Sequence, residues 1–345
     1  MRVAVEPYDL PLREPLETAR GPIERREGWL LRVGTDPTGL GAATPLPPFT
    51  EDLETCRTHV AAATDALRTG EVDAALAECA GAPAARHAVA LALADREARN
   101  AGVPLARHLD AAAAPAVAVN ATVGDADAAS TAERVAAAAG AGFDCVKVKV
   151  GARSVAADAE RLEAARAAVG DDVTLRADAN GAWEVASAER ALAAFAEHDV
   201  SYVEQPLPAP ALDEHAGLRG GTVGVALDES VAATSPRAVL DAGAADVLVC
   251  KPMALGGPDR VRTAVADARA AGVTPVVTTT VDGLVARLGA LHVAASAGDL
   301  PPCGLATAGA LATDLGPDPA PVAAGTLTVP DTPGLGVAPT EVSAP

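Results

Sequence analysis

The sequence predicts an α/β protein built around a (β/α)8 TIM-type barrel, with an N-terminal α+β capping domain in front of it. From about residue 116 onward, short β-branched segments alternate with alanine-rich helical segments, a pattern typical of βαβ units and a parallel sheet. Charged residues recur near the C-terminal ends of the predicted strands, where the active sites of such barrels lie. A doubly wound open sheet is the alternative architecture.

The predicted elements follow from local hydrophobic periodicity. Barrel strands are expected at 115–123, 145–150, 173–178, 201–206, 223–229, 246–251 and 275–281, with an eighth at about 301–307. The first hundred residues differ, because two antiparallel strands (3–12 and 28–36) precede two helices (54–70 and 86–100). We therefore expect a capping domain at 1–110, the barrel at 111–310, and a C-terminal segment, 311–345, that packs back on the capping domain.

Composition excludes several classes of function. A formal net charge of −19 argues against nucleic acid or anionic membrane as a partner. The chain starts without a signal-peptide pattern, its apolar runs are short, and its five cysteines lack metal-binding spacing, so we expect a cytoplasmic protein. A homo-oligomer is compatible with the sequence. The acidic, lysine-poor composition is typical of adaptation to concentrated salt, and equally of a GC-rich genome.

Lysine is almost absent from this chain. Of 27 basic residues only three are lysines, at Lys147, Lys149 and Lys251, and the others are arginines. Arginine stays protonated in proteins, whereas lysine can lose its proton when its pKa is lowered. Lys147 and Lys149 lie on the same face of one predicted strand, and a neighbouring cation lowers the pKa of an ammonium group. The pair therefore predicts a general base that works near neutral pH.

Three acidic residues occur about one βα unit apart, at Asp178, Glu204 and Asp228. Each lies near the C-terminal end of its predicted strand, so the barrel would bring the three carboxylates together at its mouth. Converging carboxylates repel one another, and a hard divalent cation such as Mg²⁺ relieves the repulsion. Each acid taken alone is also compatible with a helix N-cap.

Five motifs in combination resemble the enolase superfamily, in its muconate-lactonizing subgroup. They are VKVKVG (146–151), LRADANGAW (175–183), VEQP (203–206), LDES (227–230) and KPMALGG (251–257). The resemblance covers nearly the whole chain and implies the modified barrel of that superfamily. It implies Asp178, Glu204 and Asp228 as ligands of Mg²⁺, with Mn²⁺ as a substitute. It also places Lys149 and Lys251 on opposite sides of the substrate, with Lys147 tuning Lys149.

Within that subgroup, NATV (120–123), LRADANGAW and CGLAT (303–307) are most similar to the o-succinylbenzoate synthase family of menaquinone biosynthesis. The implied reaction is the dehydration of 2-succinyl-6-hydroxy-2,4-cyclohexadiene-1-carboxylate, a small-molecule carboxylate, through an enediolate intermediate. One lysine would remove the α-proton and then help the hydroxyl to leave from the same face. Lys251 would stabilise the intermediate as a fixed cation.

Substrate contacts are also implied by the resemblance. The loop 16–28 would close over the site, although an ordinary surface arginine is an equal reading of Arg20. The seventh strand departs from the family pattern, because VVTTTVDGLVARLG (276–289) stands where a serine-rich turn is expected. The candidate substrate contacts are Arg20, Asn180, Thr278, Thr279, Gly304 and Leu305.

Other activities share these residues. The same scaffold would suit an N-acylamino acid racemase, a dipeptide epimerase or a muconate cycloisomerase. A dipeptide epimerase needs acidic residues in the eighth βα region to hold an α-ammonium group, and CGLATAGA (303–310) has none. A Schiff-base aldolase using Lys251 and a non-catalytic barrel are the more distant alternatives.

Overall fold

The computed structural model describes residues 1–16 and 21–344, so the predicted contact at Arg20 lies outside the described residues. The chain begins with an antiparallel sheet in the order β1-β2-β3. Its strands are β1 (Val3–Leu16), β2 (Ile23–Val33) and β3 (Gly39–Ala43). Four helices follow: α1 (Leu53–Thr69), α2 (Val72–Glu78), α3 (Pro83–Asn100) and α4 (Leu105–Leu109). This order matches the α+β pattern predicted for the capping domain.

Local sequence explains where these elements begin and pack. Asp52 starts α1, because its side chain accepts a hydrogen bond from the Thr55 amide, and Gly70 ends the helix in the left-handed conformation. Helix α3 lies directly on β3. A side chain at Gly41 would collide with the Ala88 carbonyl oxygen of α3, so glycine permits this close approach.

The barrel consists of parallel strands in chain order, which confirms the predicted fold class. After β4 (Ala116–Ala118), seven adjacent strands form one sheet in the order β5 to β11. They are β5 (Ala121–Val123), β6 (Cys145–Lys149), β7 (Thr174–Asp178), β8 (Val200–Glu204), β9 (Gly224–Leu227), β10 (Val247–Cys250) and β11 (Thr274–Val277). Each lies within or close to its predicted segment.

The first and eighth predicted strands are irregular. Instead of one strand over 115–123, β4 pairs with the hairpin β12 (Val322–Ala323) and β13 (Thr326–Thr328). The eighth segment forms isolated bridges, Val119 with Cys303 and Thr278 with Gly304. Cys303 donates to the Ala118 carbonyl (2.8 Å) and Gly304 to the Val277 carbonyl (3.0 Å). Two residues thus connect the first and last strands of the ring.

Helices cover the outside of the sheet. They are α5 (Ala128–Gly140), α6 (Val155–Val169), α7 (Val185–Ala196), α8 (Leu212–Leu218), α9 (Glu229–Ala233), α10 (Pro236–Asp241), α11 (Pro252–Leu255), α12 (Pro258–Ala270) and α13 (Leu284–Ser296). Helix α13 is buried along its whole length, because α3, α4 and β3 of the capping domain pack against it. None of the helices in the described ranges is both long enough and apolar enough to cross a bilayer.

A small apolar cluster fills the inside of the barrel. It contains Tyr202, Ala226, Val247, Val249 and Val276, and it is separate from the main core. These residues come from four adjacent strands. Tyr202 lies two residues before Glu204 on β8, so alternation places it beneath that carboxylate on the same face. The cluster is therefore the floor of the barrel mouth.

The C-terminal segment returns to the N-terminal elements. Asp95 of α3 accepts a hydrogen bond from the Leu335 amide (2.7 Å), and Arg99 donates to the Val337 carbonyl (2.8 Å). Arg32 of β2 donates to the Pro339 carbonyl (2.7 Å). These hydrogen bonds hold residues 335–339 against α3 and β2. The division of the chain at residues 110 and 310 stays a prediction.

Candidate active site

Strand register brings the first predicted groups together. Lys149 of β6 is paired with Asp178 of β7, and Asp178 is paired with Glu204 of β8. Because alternate residues of a strand point to the same face, Lys147 lies on the same side of β6 as Lys149. Three neighbouring strands therefore bring two lysines and two carboxylates to the same face of the sheet.

Lys147 lies between two carboxylates. Its Nζ is 2.9 Å from Glu204 Oε1 and 3.0 Å from Asp178 Oδ2. The second lysine of the pair, Lys149, lies 2.6 Å from Asp178 Oδ2 and donates to Asn180 Oδ1 at 2.8 Å. Asp178 thus accepts from both lysines. Lys147 acts as a counter-ion for the acidic residues, a role that the sequence did not predict.

The other side of the mouth carries a second ion pair. Lys251, directly after β10, donates to Asp228 Oδ2 at 2.6 Å. The Lys251 Nζ also lies over the ring of Phe49, 3.5 Å from its centroid, a cation–π contact. Gln205 holds this region in place, since its Oε1 accepts from the amides of Asp228 and Ser230 at 3.1 Å each.

Burial and neighbouring charges shift the pKa values of the acidic residues. Burial raises the pKa of Glu204 to about 7, with Asp178 acting in the same direction and Lys147 against it. Burial also raises the pKa of Asp228 to about 6, against the opposing Lys251. Burial acts to raise the pKa of Asp178, but Lys147 and Lys149 outweigh it and hold that pKa well below its usual range.

Lys147 shows the complementary shift. Burial acts to lower its pKa, but Asp178 and Glu204 outweigh burial and raise the pKa well above the usual value of lysine. Its positive charge is therefore retained at the centre of the acidic residues. The sequence predicts a different role, in which Lys147 serves only as the cation that lowers the pKa of Lys149.

The predicted substrate contacts lie in different surroundings. Asn180 borders the mouth through its contact with Lys149. Thr278 donates to the Gly304 carbonyl (3.0 Å), and the Thr279 hydroxyl lies 3.1 Å from that of Thr307. Leu305 is fully buried, backbone included.

The capping domain also contacts the seventh loop. Arg26, a buried residue of β2, donates to the carbonyls of Val281 (3.3 Å) and Thr44 (3.0 Å). Val281 has φ of 59°, which is unusual for a β-branched residue. This contact fixes the loop in which the sequence departs from the family pattern.

Sequence reasoning missed three residues of the site: Phe49, Gln205 and Glu229. Glu229 accepts a hydrogen bond from Asn180 Nδ2 at 3.0 Å. Gln205 and Glu229 directly follow the predicted site residues Glu204 and Asp228. This adjacency in the sequence could have identified them as members of the site. Phe49 carried a weaker signal, as one of three phenylalanines in the chain.

The chemistry of the acidic residues fits a hard divalent cation. Asp178, Glu204 and Asp228 are all buried, and carboxylate oxygens are the ligands that Mg²⁺ prefers. No three acidic, histidine or cysteine side chains among the described residues converge on one point, because each of these carboxylates is bonded to a lysine. Burial disfavours the ionised forms of Glu204 and Asp228, as their raised pKa values indicate. A bound divalent cation would supply the compensating positive charge.

Comparison with known families decides the relationship. The family model described as enolase C-terminal domain-like matches residues 127–343, more than half of the chain. The chain belongs to the enolase superfamily. The resemblance read from the five motifs is confirmed, and so is the prediction that this protein is an enzyme of that superfamily.

Individual relatives of this superfamily member carry different activities. It is 40% identical over 148 residues to the o-succinylbenzoate synthase of Thermobifida fusca, a match that spans 42% of this chain and only 45% of that protein. It is 31% identical over 287 residues to the hydrophobic dipeptide epimerase of Roseobacter litoralis, which covers 80% of this chain and 82% of that protein.

Solved structures of the superfamily share the whole architecture. A dipeptide epimerase from Enterococcus faecalis, crystallised with Mg and the dipeptide L-Leu-L-Tyr, superposes with a TM-score of 0.90 at 26% identity. The superposition covers 97% of this chain and 98% of that one. This superfamily enzyme therefore has the complete fold of that structure.

Proposed function

We propose that this enzyme is an o-succinylbenzoate synthase, a hydro-lyase of menaquinone biosynthesis that converts 2-succinyl-6-hydroxy-2,4-cyclohexadiene-1-carboxylate to 2-succinylbenzoate. The observation that carries the proposal is the unequal setting of the two facing lysines. The Lys149 side chain is 34% exposed, whereas that of Lys251 is 10% exposed and lies between Asp228 and the Phe49 ring. A syn-dehydration needs a single base. One accessible amine, together with a second lysine whose ammonium group is held in place by its neighbours, suits that reaction.

Lys149 would remove the proton α to the ring carboxylate. The electron pair of that C–H bond would pass into an enediolate, and the Lys251 ammonium group would stabilise the negative charge. Lys149, now carrying the proton, would donate it to the departing hydroxyl on the same face. Water leaves, the ring becomes aromatic, and Lys149 returns to its starting state.

Asp178, Glu204 and Asp228 would hold Mg²⁺, with Mn²⁺ as a substitute. When bound, the metal supplies Lewis-acid stabilisation of charge on carboxylate oxygens. The chain's own contribution is to hold the three acidic residues at the ends of adjacent strands, and to pair Asp178 and Glu204 with Lys147 and Asp228 with Lys251. The proposal also includes a small-molecule carboxylate as the ligand and a cytoplasmic location.

Dipeptide epimerase is the second candidate, and the longer match to the Roseobacter litoralis enzyme favours it. An epimerase would have to bind the α-ammonium group of a dipeptide, which calls for a nearby carboxylate. Residues 303–310 contain no acidic residue. The next one, Asp314, accepts hydrogen bonds from the Leu284 and Leu315 amides, both at 2.7 Å. An N-acylamino acid substrate lacks the ammonium group, so racemase activity is the closer alternative.

A direct assay separates these activities. Purified protein with Mg²⁺ is given the dehydration substrate, generated in the cuvette, and the aromatic product is followed by absorbance. Parallel samples measure α-proton exchange in D₂O with N-succinylamino acids and with hydrophobic dipeptides. We expect dehydration to be the fastest reaction and Lys149→Arg to abolish it. Dipeptide exchange that outpaces dehydration would assign the enzyme to the epimerases instead.

A further inference from the structure

A short chain of side chains leads away from Lys149. Lys149 Nζ donates to Asn180 Oδ1 at 2.8 Å, and Asn180 Nδ2 donates to Glu229 Oε1 at 3.0 Å. We propose that Glu229 is a positioning residue that acts through the Asn180 amide to aim the Lys149 amine at the substrate. The inference rests on the proposed function only in taking Lys149 as the base.

The two ends of the chain fix the orientation of the amide. An asparagine side chain accepts hydrogen bonds through its oxygen and donates them through its nitrogen. The Lys149 ammonium group requires the oxygen, and the Glu229 carboxylate requires the nitrogen. Turning the amide over would place donor against donor and acceptor against acceptor. With Glu229 present, Asn180 therefore presents a fixed acceptor to Lys149.

The backbone supports the same arrangement. Asn180 has φ of 46°, a left-handed conformation that costs free energy for a residue other than glycine. Its amide donates to Asp178 Oδ1 at 3.2 Å, and Gln205 binds the amide of Ser230, the residue that follows Glu229. Both Asn180 and Glu229 are thus held from the backbone as well.

The setting of Glu229 does not favour stability. Its Oε2 is buried and has no hydrogen-bond partner in the part of the chain that the structure describes. A buried polar atom left unpaired is destabilising. Glu229 lies at the barrel mouth beside Asp228, but its hydrogen bond is with Asn180. This contact indicates that Glu229 acts on the Asn180 amide.

Lys149 has two partners, Asp178 and Asn180, and it shares only Asp178 with Lys147. Asp178 Oδ2 lies within ion-pair distance of both lysines, and Asp178 is one of the proposed metal ligands. The Lys149 side chain is 34% exposed and has a flexible four-carbon stem. Loss of the Asn180 acceptor would therefore leave the amine loosely placed.

Side-chain order at Lys149 is directly measurable, because the chain has only three lysines, Lys147, Lys149 and Lys251. Protein labelled with ¹³C at lysine Cε gives three signals, which single Lys→Arg variants assign. In Glu229→Ala we expect the Lys149 signal alone to sharpen to that of a mobile side chain. Glu229→Gln should keep the wild-type spectrum, because glutamine still offers an acceptor to Asn180. Glu189→Ala, an exposed change on α7, is the matched control.

Kinetics give the second readout. Glu229→Ala should lower kcat by about ten- to a hundredfold, as expected for a misplaced catalytic group, with KM and melting temperature little changed. Glu229→Gln should restore most of kcat. In an Asn180→Ala background, Glu229→Ala should have no further effect, because its path to Lys149 is already broken.

Two outcomes would overturn the inference: an unchanged Lys149 signal in Glu229→Ala, or additive losses of kcat in the double variant. An inactive wild type would reject the proposed synthase function instead. The lysine spectra would still decide the positioning role in that case.

Discussion

Lys149 and Asp178 lie directly opposite each other in the parallel pairing of β6 with β7, and their side chains meet at 2.6 Å. Strand register therefore sets where the proposed base lies along the barrel mouth. A substitution at Lys149 changes the amine while the strand that carries it stays in place, so its kinetic effect reports on chemistry.

Lys149→Arg should lower turnover by at least about a thousandfold, in the range seen when a general base is removed. Arginine keeps the positive charge but cannot give up its proton. Lys147→Arg is the matched comparison and should be milder, because a cation remains between Asp178 and Glu204. Turnover of both variants on the dehydration substrate is the measurement. Near-normal turnover in Lys149→Arg would show that this lysine is not the base.

Lys251→Arg tests whether the second lysine also transfers protons. A fixed cation needs charge and position only, so arginine should be tolerated better at 251 than at 149. The loss of turnover should lie between those of Lys147→Arg and Lys149→Arg. A loss as large as that of Lys149→Arg would instead indicate two-base chemistry, as in racemization.

Chelation should abolish activity, and added Mg²⁺ or Mn²⁺ should restore it, because carboxylates alone cannot stabilise a developing negative charge. Glu204→Gln keeps the shape of the side chain but removes a ligand charge, so most activity should be lost while circular dichroism is unchanged. Glu197→Gln, an exposed change after α7, is the control. Full activity in chelator would rule out the metal.

Salt should stabilise the fold if the composition reflects a saline habitat. The formal net charge of −19 destabilises the compact state by self-repulsion, and dissolved ions screen that repulsion. The melting temperature should rise between dilute and molar KCl. Chloride is the suitable anion, since sulfate strengthens apolar burial regardless of charge. A flat or falling melting temperature would attribute the composition to codon usage.

Acid should destabilise the protein through His292. Burial lowers the pKa of this histidine from 6.5 to about 4, and the Ala106 amide donates to its Nδ1 at 3.1 Å. Between these two pH values only the unfolded state binds the proton. The free energy of unfolding should therefore fall as pH drops from 6.5 through 4, by about 3 kcal/mol for this group.

Denaturant titrations across that pH range provide the measurement for His292. His292→Asn keeps an acceptor for the Ala106 amide without a titrating ring, so its stability should depend less on pH. His198→Gln, at a partly exposed position, is the control substitution. An identical pH dependence in wild type and His292→Asn would contradict the assignment.

The placement of the charged residues could be read from the sequence because it depends on local features. Strand alternation puts Lys147 and Lys149 on one face, and the regular βα period brings Asp178, Glu204 and Asp228 to neighbouring strand ends. Both features are set by residues adjacent in the chain. The fold class and the superfamily followed from the same patterns.

Tertiary structure decided which side chains meet. Phe49 comes from the capping domain and reaches Lys251 about 200 residues later, a contact that no local pattern encodes. The eighth strand became two bridges at Cys303 and Gly304, and residues 116–118 pair with the C-terminal hairpin on their other edge. The Asn180–Glu229 hydrogen bond joins the loop after β7 to the first residue of α9, two strands away in the sheet. Periodicity places a residue on a face, but the packing of distant segments selects its partner.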